Sequence, residues 1–201
     1  MDAFETFEHA GCVIELYPDD MDSSPADWDN LGTLVWFDRR NEMQGTESSD
    51  NDADEAYDRG GCALLVRYLR MTRGEIVVPF QFQDYGSNGA RLLALDDDDD
   101  ARAHGYIYAD AASIEMTGVE PENVREGLVQ DLRTWDDYFQ GRVIGYVVKS
   151  GDVVLDSCWG FYPDDEDGED GYAEVRAEAR AMAEHEAEER ARVANQDIAT
   201  A

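Results

Sequence analysis

The sequence has very little lysine and few basic residues of any kind, and this shortage excludes whole classes of partner. Lys149 is the single lysine, and 16 basic residues face 47 acidic ones, so the formal net charge is −31 at pH 7. A chain this acidic repels phosphate groups, which excludes direct binding to nucleic acid and to anionic membrane surfaces. Apolar runs long enough to cross a bilayer are missing as well. The N-terminal residues carry no basic segment ahead of an apolar one, so we expect no secretory signal and a cytoplasmic protein.

Cysteine and histidine are also scarce, and their spacing fits no known site. The chain has three cysteines, which is an odd number, and no Cys-x-x-Cys pair occurs; they are Cys12, Cys62 and Cys158. They predict reduced, buried thiols rather than a disulfide framework or a zinc site. The three histidines form no His-Glu-x-x-His motif, and phosphate-binding glycine loops are missing. We therefore predict a protein that is not an enzyme and that holds no metal and no cofactor.

The charge that is present has an unusual composition. Aspartate outnumbers glutamate, and arginine supplies every basic residue except Lys149. Short carboxylates hold water and cations, whereas a lysine stem adds exposed apolar area, so this bias is typical of adaptation to concentrated salt. Rows of carboxylates can also imitate duplex DNA, which carries one charge per about 1.7 Å of axis, and so compete for a basic protein. Composition alone leaves both interpretations open.

Two acidic runs are the candidate partner-binding residues. They are Asp96, Asp97, Asp98, Asp99 and Asp100, and Asp164, Asp165, Glu166 and Asp167. Like charges this close together repel, so both runs should be solvated. Aligning Gly168 with the glycine of a helix-loop-helix calcium loop puts Pro163, which has no side-chain oxygen, at the first ligand position. A selective calcium site is therefore not predicted.

Two further segments combine polar groups with tryptophan and are the candidate ligand-contact loops. They are Trp28, Asp29 and Asn30 ahead of a predicted strand, and Asp156, Ser157, Cys158 and Trp159 within another. The structural interpretation of the first is preferred: Asp29 or Asn30 caps a turn while Trp28 covers the core. As a nucleophile, Cys158 would need a nearby base, for which His104 is the candidate.

Hydrophobic periodicity predicts an α+β fold. The β-rich runs lie at 12–17, 31–37, 75–82, 105–109, 142–148 and 153–159, and the helical runs at 62–69, 110–116, 121–140 and 173–194. The last two strands flank a Ser-Gly turn and form a hairpin. The apolar stripe of helix 121–140 should pack beside this hairpin. Pro79 cannot donate a ladder hydrogen bond, so strand 75–82 should lie at an edge or a bulge. We expect an antiparallel or mixed sheet with helices packed on one face, plus a charged C-terminal helix.

The domain organisation follows from the charge pattern. We predict a single α+β domain at 1–162, an acidic linker at 163–171, a charged helix at 172–194 and a frayed tail at 195–201. The apolar stripe of the last helix is thin, so we expect it to dock weakly or to project. The domain should therefore stay folded without it.

Three patches of the chain carry a resemblance to a protein family. They are Ser-Pro-Ala-Asp-Trp-Asp-Asn-Leu-Gly-Thr at 24–33, Gly-Tyr-Ile-Tyr at 105–108, and Gly-Tyr-Val-Val at 145–148 leading to Asp-Ser-Cys-Trp-Gly-Phe-Tyr at 156–162. In these patches the chain resembles an uncharacterised family of acidic proteins carried by bacteriophages and mobile elements. The resemblance implies a small accessory protein of a mobile genome, and by analogy an inhibitor of host defence. It implies no catalytic residue.

The sequence therefore leads to one expectation and two alternatives. The expectation is a non-enzymatic acidic accessory protein that binds a basic, nucleic-acid-binding partner, including a host-defence protein for which it would imitate DNA. The first alternative is a salt-adapted α+β domain whose acidity reflects its environment. The second is a Cys-dependent or metal-dependent enzyme, which would require Cys158, His104 and a carboxylate to converge in a cleft.

Overall fold

The computed structural model of the protein describes residues 2–19, 24–37, 43–45, 51–72, 76–84, 90–96, 103–164 and 171–199. They form helices and two antiparallel sheets, which confirms the predicted α+β class. The chain divides into two compact units, which we call the terminal unit (Met1–Ser23 with Gly141–Ala201) and the central unit (Ser24–Gln140). This division differs from the expected single domain at 1–162, because the first strands pair with the last ones.

The described residues contain the following elements. The strands are β1 (Glu5–His9), β2 (Cys12–Pro18), β3 (Thr33–Phe37), β4 (Met43–Gly45), β5 (Ile76–Asp84), β6 (Ala90–Ala94), β7 (Gly105–Ala109), β8 (Ile144–Ser150) and β9 (Val153–Phe161). The helices are α1 (Asn51–Thr72), α2 (Ala111–Thr117), α3 (Val124–Phe139) and α4 (Ala173–Ala199), with 3₁₀ turns at Pro25–Asp27 and Pro121–Asn123.

The terminal unit is a four-stranded sheet in the order β1-β2-β8-β9, covered on one face by α4. Val175, Ala179 and Ala183 of α4 recur every four residues and are at most 3% exposed. They pack against alternate residues of the sheet, such as Ile14 and Leu16. The expectation of a weakly docked helix is wrong, because alanines count little toward an apolar stripe yet let a helix approach a sheet closely. The helix also continues to Ala199, past the expected start of the tail.

Contacts between β1 and α4 extend this packing. A strand advances about 6.8 Å in two residues and a helix about 6 Å in four, so alternate strand residues can meet every fourth helix residue. The pairs are Glu5 with Arg176 (2.7 Å), Phe7 with Arg180 (5.0 Å from the guanidinium carbon to the ring centre) and His9 with Glu184 (2.7 Å).

The central unit is a five-stranded sheet in the order β4-β3-β7-β5-β6. Helices pack on both of its faces rather than on one: Tyr106 and Tyr108 of β7 face α1, and Ile107 and Ala109 face α3. A strand covered on both faces has no polar alternation, which explains the uninterrupted apolar run of β7. Helix α1 is broken at Gly61, where φ is 63°.

Helix α3 has the predicted apolar stripe, but this stripe does not pack beside the hairpin as expected. Val124, Leu128, Leu132 and Trp135 are buried in the core of the central unit, with Phe139 half-buried beside them. The β8–β9 hairpin is present as predicted, but it belongs to the core of the terminal unit. The expectation of one shared core is wrong, because β8 pairs with β2 and so joins the other sheet.

Strand β5 lies inside its sheet, between β7 and β6, so the predicted edge position is wrong. Pro79 is tolerated there because the ladder with β6 begins one residue later, at Phe80 with Ala94. The carbonyl of Pro79 accepts a hydrogen bond from the Leu95 N–H at 2.8 Å. The missing N–H of the proline therefore falls where the ladder ends.

The ends of the predicted acidic linker are joined. The Asp164 N–H donates to the Gly171 carbonyl at 2.9 Å. Gly171 has a φ of +73° and leaves no room for a side chain, since a Cβ would lie 2.7 Å from Cβ of Pro163. Asp164 and Gly171 therefore lie side by side, and residues 165–170 lie outside the described part of the chain.

Candidate functional site

Two sets of exposed carboxylates, one in each unit, lie on or beside helices. In the central unit they lie between α2 and the first turn of α3, at Glu115, Glu120, Glu122 and Glu126. In the terminal unit they lie along α4, at Glu174, Glu178, Glu184 and Glu188. We call these the α3 group and the α4 group. They give the protein acidic surface outside the two acidic runs that the sequence singles out.

Several basic side chains contact groups of their own unit. Ion pairs among the described residues include Arg59 with Glu55, Arg91 with Asp136 (3.6 Å), Lys149 with Glu15, Arg176 with Glu5 (2.7 Å) and Arg192 with Glu189 (2.5 Å). Arg190 donates instead to the Ser150 hydroxyl at 2.6 Å and to the sulfur of buried Cys12 at 2.8 Å. These six cations therefore already have partners within the structure.

The predicted acidic runs are only partly within the described residues. Asp96 is exposed just after β6, and Asp164 is exposed just after β9. The remaining members, Asp97, Asp98, Asp99, Asp100, Asp165, Glu166 and Asp167, lie outside the described residues. Asp96 and Asp164 belong to different units, so each is a candidate by itself.

The segment around Trp28 has the structural role that the sequence favours. The Asn30 amide donates to the Pro25 carbonyl at 2.6 Å and to the Trp28 carbonyl at 3.3 Å, which closes the turn. Trp28 itself is 44% exposed, so it does not cover the core as expected. Asp29 is exposed beside it.

Asp131 on α3 anchors the end of this loop, and the sequence analysis missed it. Its carboxylate accepts the Gly32 N–H at 2.7 Å. Gly32 has no room for a side chain, since a Cβ would lie 2.5 Å from Ile107. Burial raises the pKa of Asp131, although the hydrogen bonds from the Gly32 and Leu31 backbone act in the opposite direction. In the sequence, Asp131 lies three residues after Leu128, at the margin of the apolar stripe, and this position was the signal that could have identified it.

The segment 156–159 lies in β9 and presents its residues to different surroundings. Cys158 is half-buried at the margin of the core, opposite Tyr146, while Ser157 is exposed. Burial raises the pKa of Tyr146, and the nearby Glu178 and Asp156 carboxylates add to that shift. Trp159 is 43% exposed.

Trp159 lies across the sheet face that points away from α4. It covers Gly145 of β8, where a Cβ would be 2.2 Å from the indole carbon Cε3. Its ring centre is 6.2 Å from that of Tyr17 on β2. The glycine therefore makes room for an aromatic pair that stays partly open to solvent.

Next to this pair, Lys149, Glu15 and Tyr17 form a hydrogen-bonded cluster. Lys149 and the Tyr17 hydroxyl both donate to Glu15, the latter at 2.5 Å. The hydrogen bonds from Lys149 and Tyr17 lower the pKa of Glu15. The same bonds raise the pKa of Lys149 and of Tyr17. At neutral pH, Glu15 therefore stays ionised, Lys149 stays protonated and Tyr17 stays neutral.

The residues proposed for thiol catalysis lie in different units. Cys158 belongs to the terminal unit. In the central unit, Nδ1 of His104 lies 2.9 Å from the Phe82 carbonyl and 3.2 Å from the Phe82 nitrogen. Among the described residues no three His, Cys, Asp or Glu side chains group as metal ligands. No helix in that part of the chain has the length and apolarity needed to cross a membrane.

Comparisons with known proteins give no relative. No protein-family model, no curated protein and no solved structure matches the chain.

Proposed function

We propose that the protein is an acidic accessory protein that binds a basic, nucleic-acid-binding partner, with its carboxylates in place of DNA phosphates. The observation that carries the proposal is the arrangement of charge. The α3 and α4 groups are exposed, while cations such as Arg176 and Lys149 pair with carboxylates inside their own unit. A partner therefore meets an anionic surface.

The spacing along α4 suits this role. Glu174 and Glu178, and likewise Glu184 and Glu188, are four residues apart, or about 6 Å along the helix axis. Phosphates of one DNA strand recur every 3.4 Å of axis, so the two carboxylates of each pair lie about as far apart as every second phosphate. A Lys or Arg surface that follows a DNA backbone could thus engage the helix at alternate positions.

The resemblance to proteins of bacteriophages and mobile elements supports an accessory role. Host-defence systems are DNA-binding proteins that such elements meet, and their DNA-binding surfaces are basic. We therefore propose that the partner belongs to a defence system and that binding inhibits it.

Neutralising one group at a time tests which surface binds. Replacing Glu174, Glu178, Glu184 and Glu188 by Gln removes four charges from α4. Replacing Glu115, Glu120, Glu122 and Glu126 by Gln removes four from the α3 group and serves as the matched control. We expect one variant to lose competition with DNA for the partner while the other keeps it. If both compete like the parent protein, these groups do not form the binding surface.

A salt-adapted domain is the second candidate, and the surroundings of Lys149 favour it. The single lysine has only 28% of its side chain exposed and is paired with Glu15. The surface therefore presents no free lysine stem, as adaptation to concentrated salt requires. Circular dichroism against KCl concentration separates the candidates: folding that requires molar salt supports this one, and folding at about 0.15 M supports partner binding.

A further inference from the structure

Strand β9 is an edge strand with an open side. It forms one end of the sheet order β1-β2-β8-β9, and among the described residues only β8 pairs with it. It is 9 residues long, whereas strands usually have about 5–6. The backbone N–H and C=O groups of an open edge can pair with another chain.

The sequence of this edge lacks two common protections against pairing. Proteins commonly place lysine or proline on an exposed edge, and residues 151–162 contain no lysine, arginine or proline. The β8–β9 register shifts near Ile144 and again near Lys149, but Asp156–Cys158 lies in regular register between the shifts. Three residues of regular backbone, Asp156–Cys158, are therefore available as the centre of one more strand pair.

Large apolar side chains stand exposed along the same strand. Val153 is 62% exposed, Val154 is 55% exposed and Trp159 is 43% exposed. Trp159 covers Gly145, and its ring lies beside that of Tyr17 with the two ring planes tilted by 40°. Aromatic faces of this kind attract arginine and lysine side chains.

The charged residues of β9 and of its two ends are all acidic, and Lys149 of the neighbouring strand, opposite Val154, is paired with Glu15. Asp152 precedes the strand, Asp156 lies within it and Asp164 follows it. A second copy of the chain would bring the same charges to the edge, and its total of −31 would add repulsion. The complementary occupant is a basic strand.

We propose that β9 takes up an extended segment of the partner as an additional antiparallel or parallel strand, in which arginine or lysine alternates with apolar residues. Main-chain hydrogen bonds would supply affinity, and the alternating side chains would supply specificity. The inference rests on the proposed function, because it assumes a basic partner, and it adds where and how that partner binds.

A labelled peptide tests the inference on the full-length protein. The probe is a fluorescein-labelled octapeptide of alternating arginine and valine. Its control has the same sequence with D-valine, which keeps the charge but cannot form a regular strand. Fluorescence anisotropy measures binding, and hydrogen exchange measures protection of the amides in Val153–Phe161.

Two protein variants add the same positive charge at different places, so an effect at the edge can be separated from an effect of net charge. Val154→Arg places a cation on β9, and Val193→Arg places the same charge on α4, where Val193 is 45% exposed. We expect Val154→Arg to weaken peptide binding by about tenfold or more, since like charges then face each other across the new strand pair. Val193→Arg should change it by less than about twofold, which is the effect of net charge alone.

The outcomes separate the inference from the proposed function. Strong binding of the L-valine peptide alone, with new protection in β9, supports the inference. Equal binding of both peptides, or equal effects of the two variants, overturns strand addition at β9. The proposed function then still stands, because a basic partner could bind through charge alone. Absence of peptide binding overturns the inference as well, and the proposed function is then decided separately by competition with DNA. A dimer that Val154→Arg dissociates also overturns it, because a second copy would occupy the edge.

Discussion

Removal of α4 should unfold the four-stranded sheet. Ile14, Leu16, Tyr146 and Val148 lie beneath the helix, and each is at most 1% exposed. Burial of one such side chain contributes about 1.5–3 kcal/mol, so uncovering all four costs on the order of 6–12 kcal/mol. The whole stability of a domain is about 5–15 kcal/mol. A chain that ends after Tyr162 should therefore lose its sheet, which reverses the expectation drawn from the thin apolar stripe.

Hydrogen exchange on β2 and β8, together with urea unfolding followed by circular dichroism, measures this effect. The control chain ends after Val193 and keeps Val175, Ala179 and Ala183, so it should unfold like the full-length protein. Amides of β2 and β8 that stay equally protected in the shorter chain would refute the reasoning. The sheet would then hold its core without the helix.

Three further substitutions test other parts of the structure. Leu132→Ala should lower the free energy of unfolding in urea by about 2–5 kcal/mol through a cavity, and a near-zero loss would mean that α3 does not bury this residue. Gly145→Ala should displace the Trp159 ring and destabilise the protein by about 1–3 kcal/mol, so an unmoved indole N–H resonance in NMR spectra would contradict the packing. The raised pKa of Asp131 means that its contribution to stability is complete below its ordinary value near 3.8 and is lost as pH rises through the folded-state pKa. Asp131→Asn should therefore become more stable relative to the parent protein as pH rises above about 4, and parallel stability curves would contradict this assignment.

Local signals in the sequence were sufficient for many elements. The stripe from Val124 to Trp135 predicted α3, and the turn at Ser150 predicted the β8–β9 hairpin, both of which are confirmed. Asp110 caps α2, which lies within one residue of the predicted short helix. These features depend on neighbours within a few residues, so periodicity and turn residues report them directly.

Long-range pairing was not predictable in the same way. The pairing of Ile14 with Val148 joins residues from opposite ends of the chain, and nothing in either segment specifies the other. It moves the hairpin out of the core of α3 and creates the terminal unit. Docking of α4 was missed because it also depends on a distant segment. Ala179 and Ala183 are small enough to lie against the sheet, and their burial can be recognised only once that sheet is known.

The candidate site was predictable in its charge but not in its location. Composition indicated an anionic surface, whereas the exposed groups on α3 and α4 and the open edge of β9 required the structure. Trp159 was singled out by its sequence patch, but its contact with Gly145 depends on a strand pairing. The features that we propose to face a partner therefore come from the combination of local composition with long-range topology.

Competition with DNA is the most direct test of partner binding. A labelled DNA duplex is bound to a restriction or CRISPR effector complex at about 0.15 M salt, and the full-length protein is titrated into it. We predict that the protein displaces the duplex and that the displacement weakens steeply as salt rises, because carboxylates take the place of phosphates. A duplex that stays bound at every protein concentration, across such complexes, would contradict the proposal that the acidic surface binds a basic, DNA-binding partner.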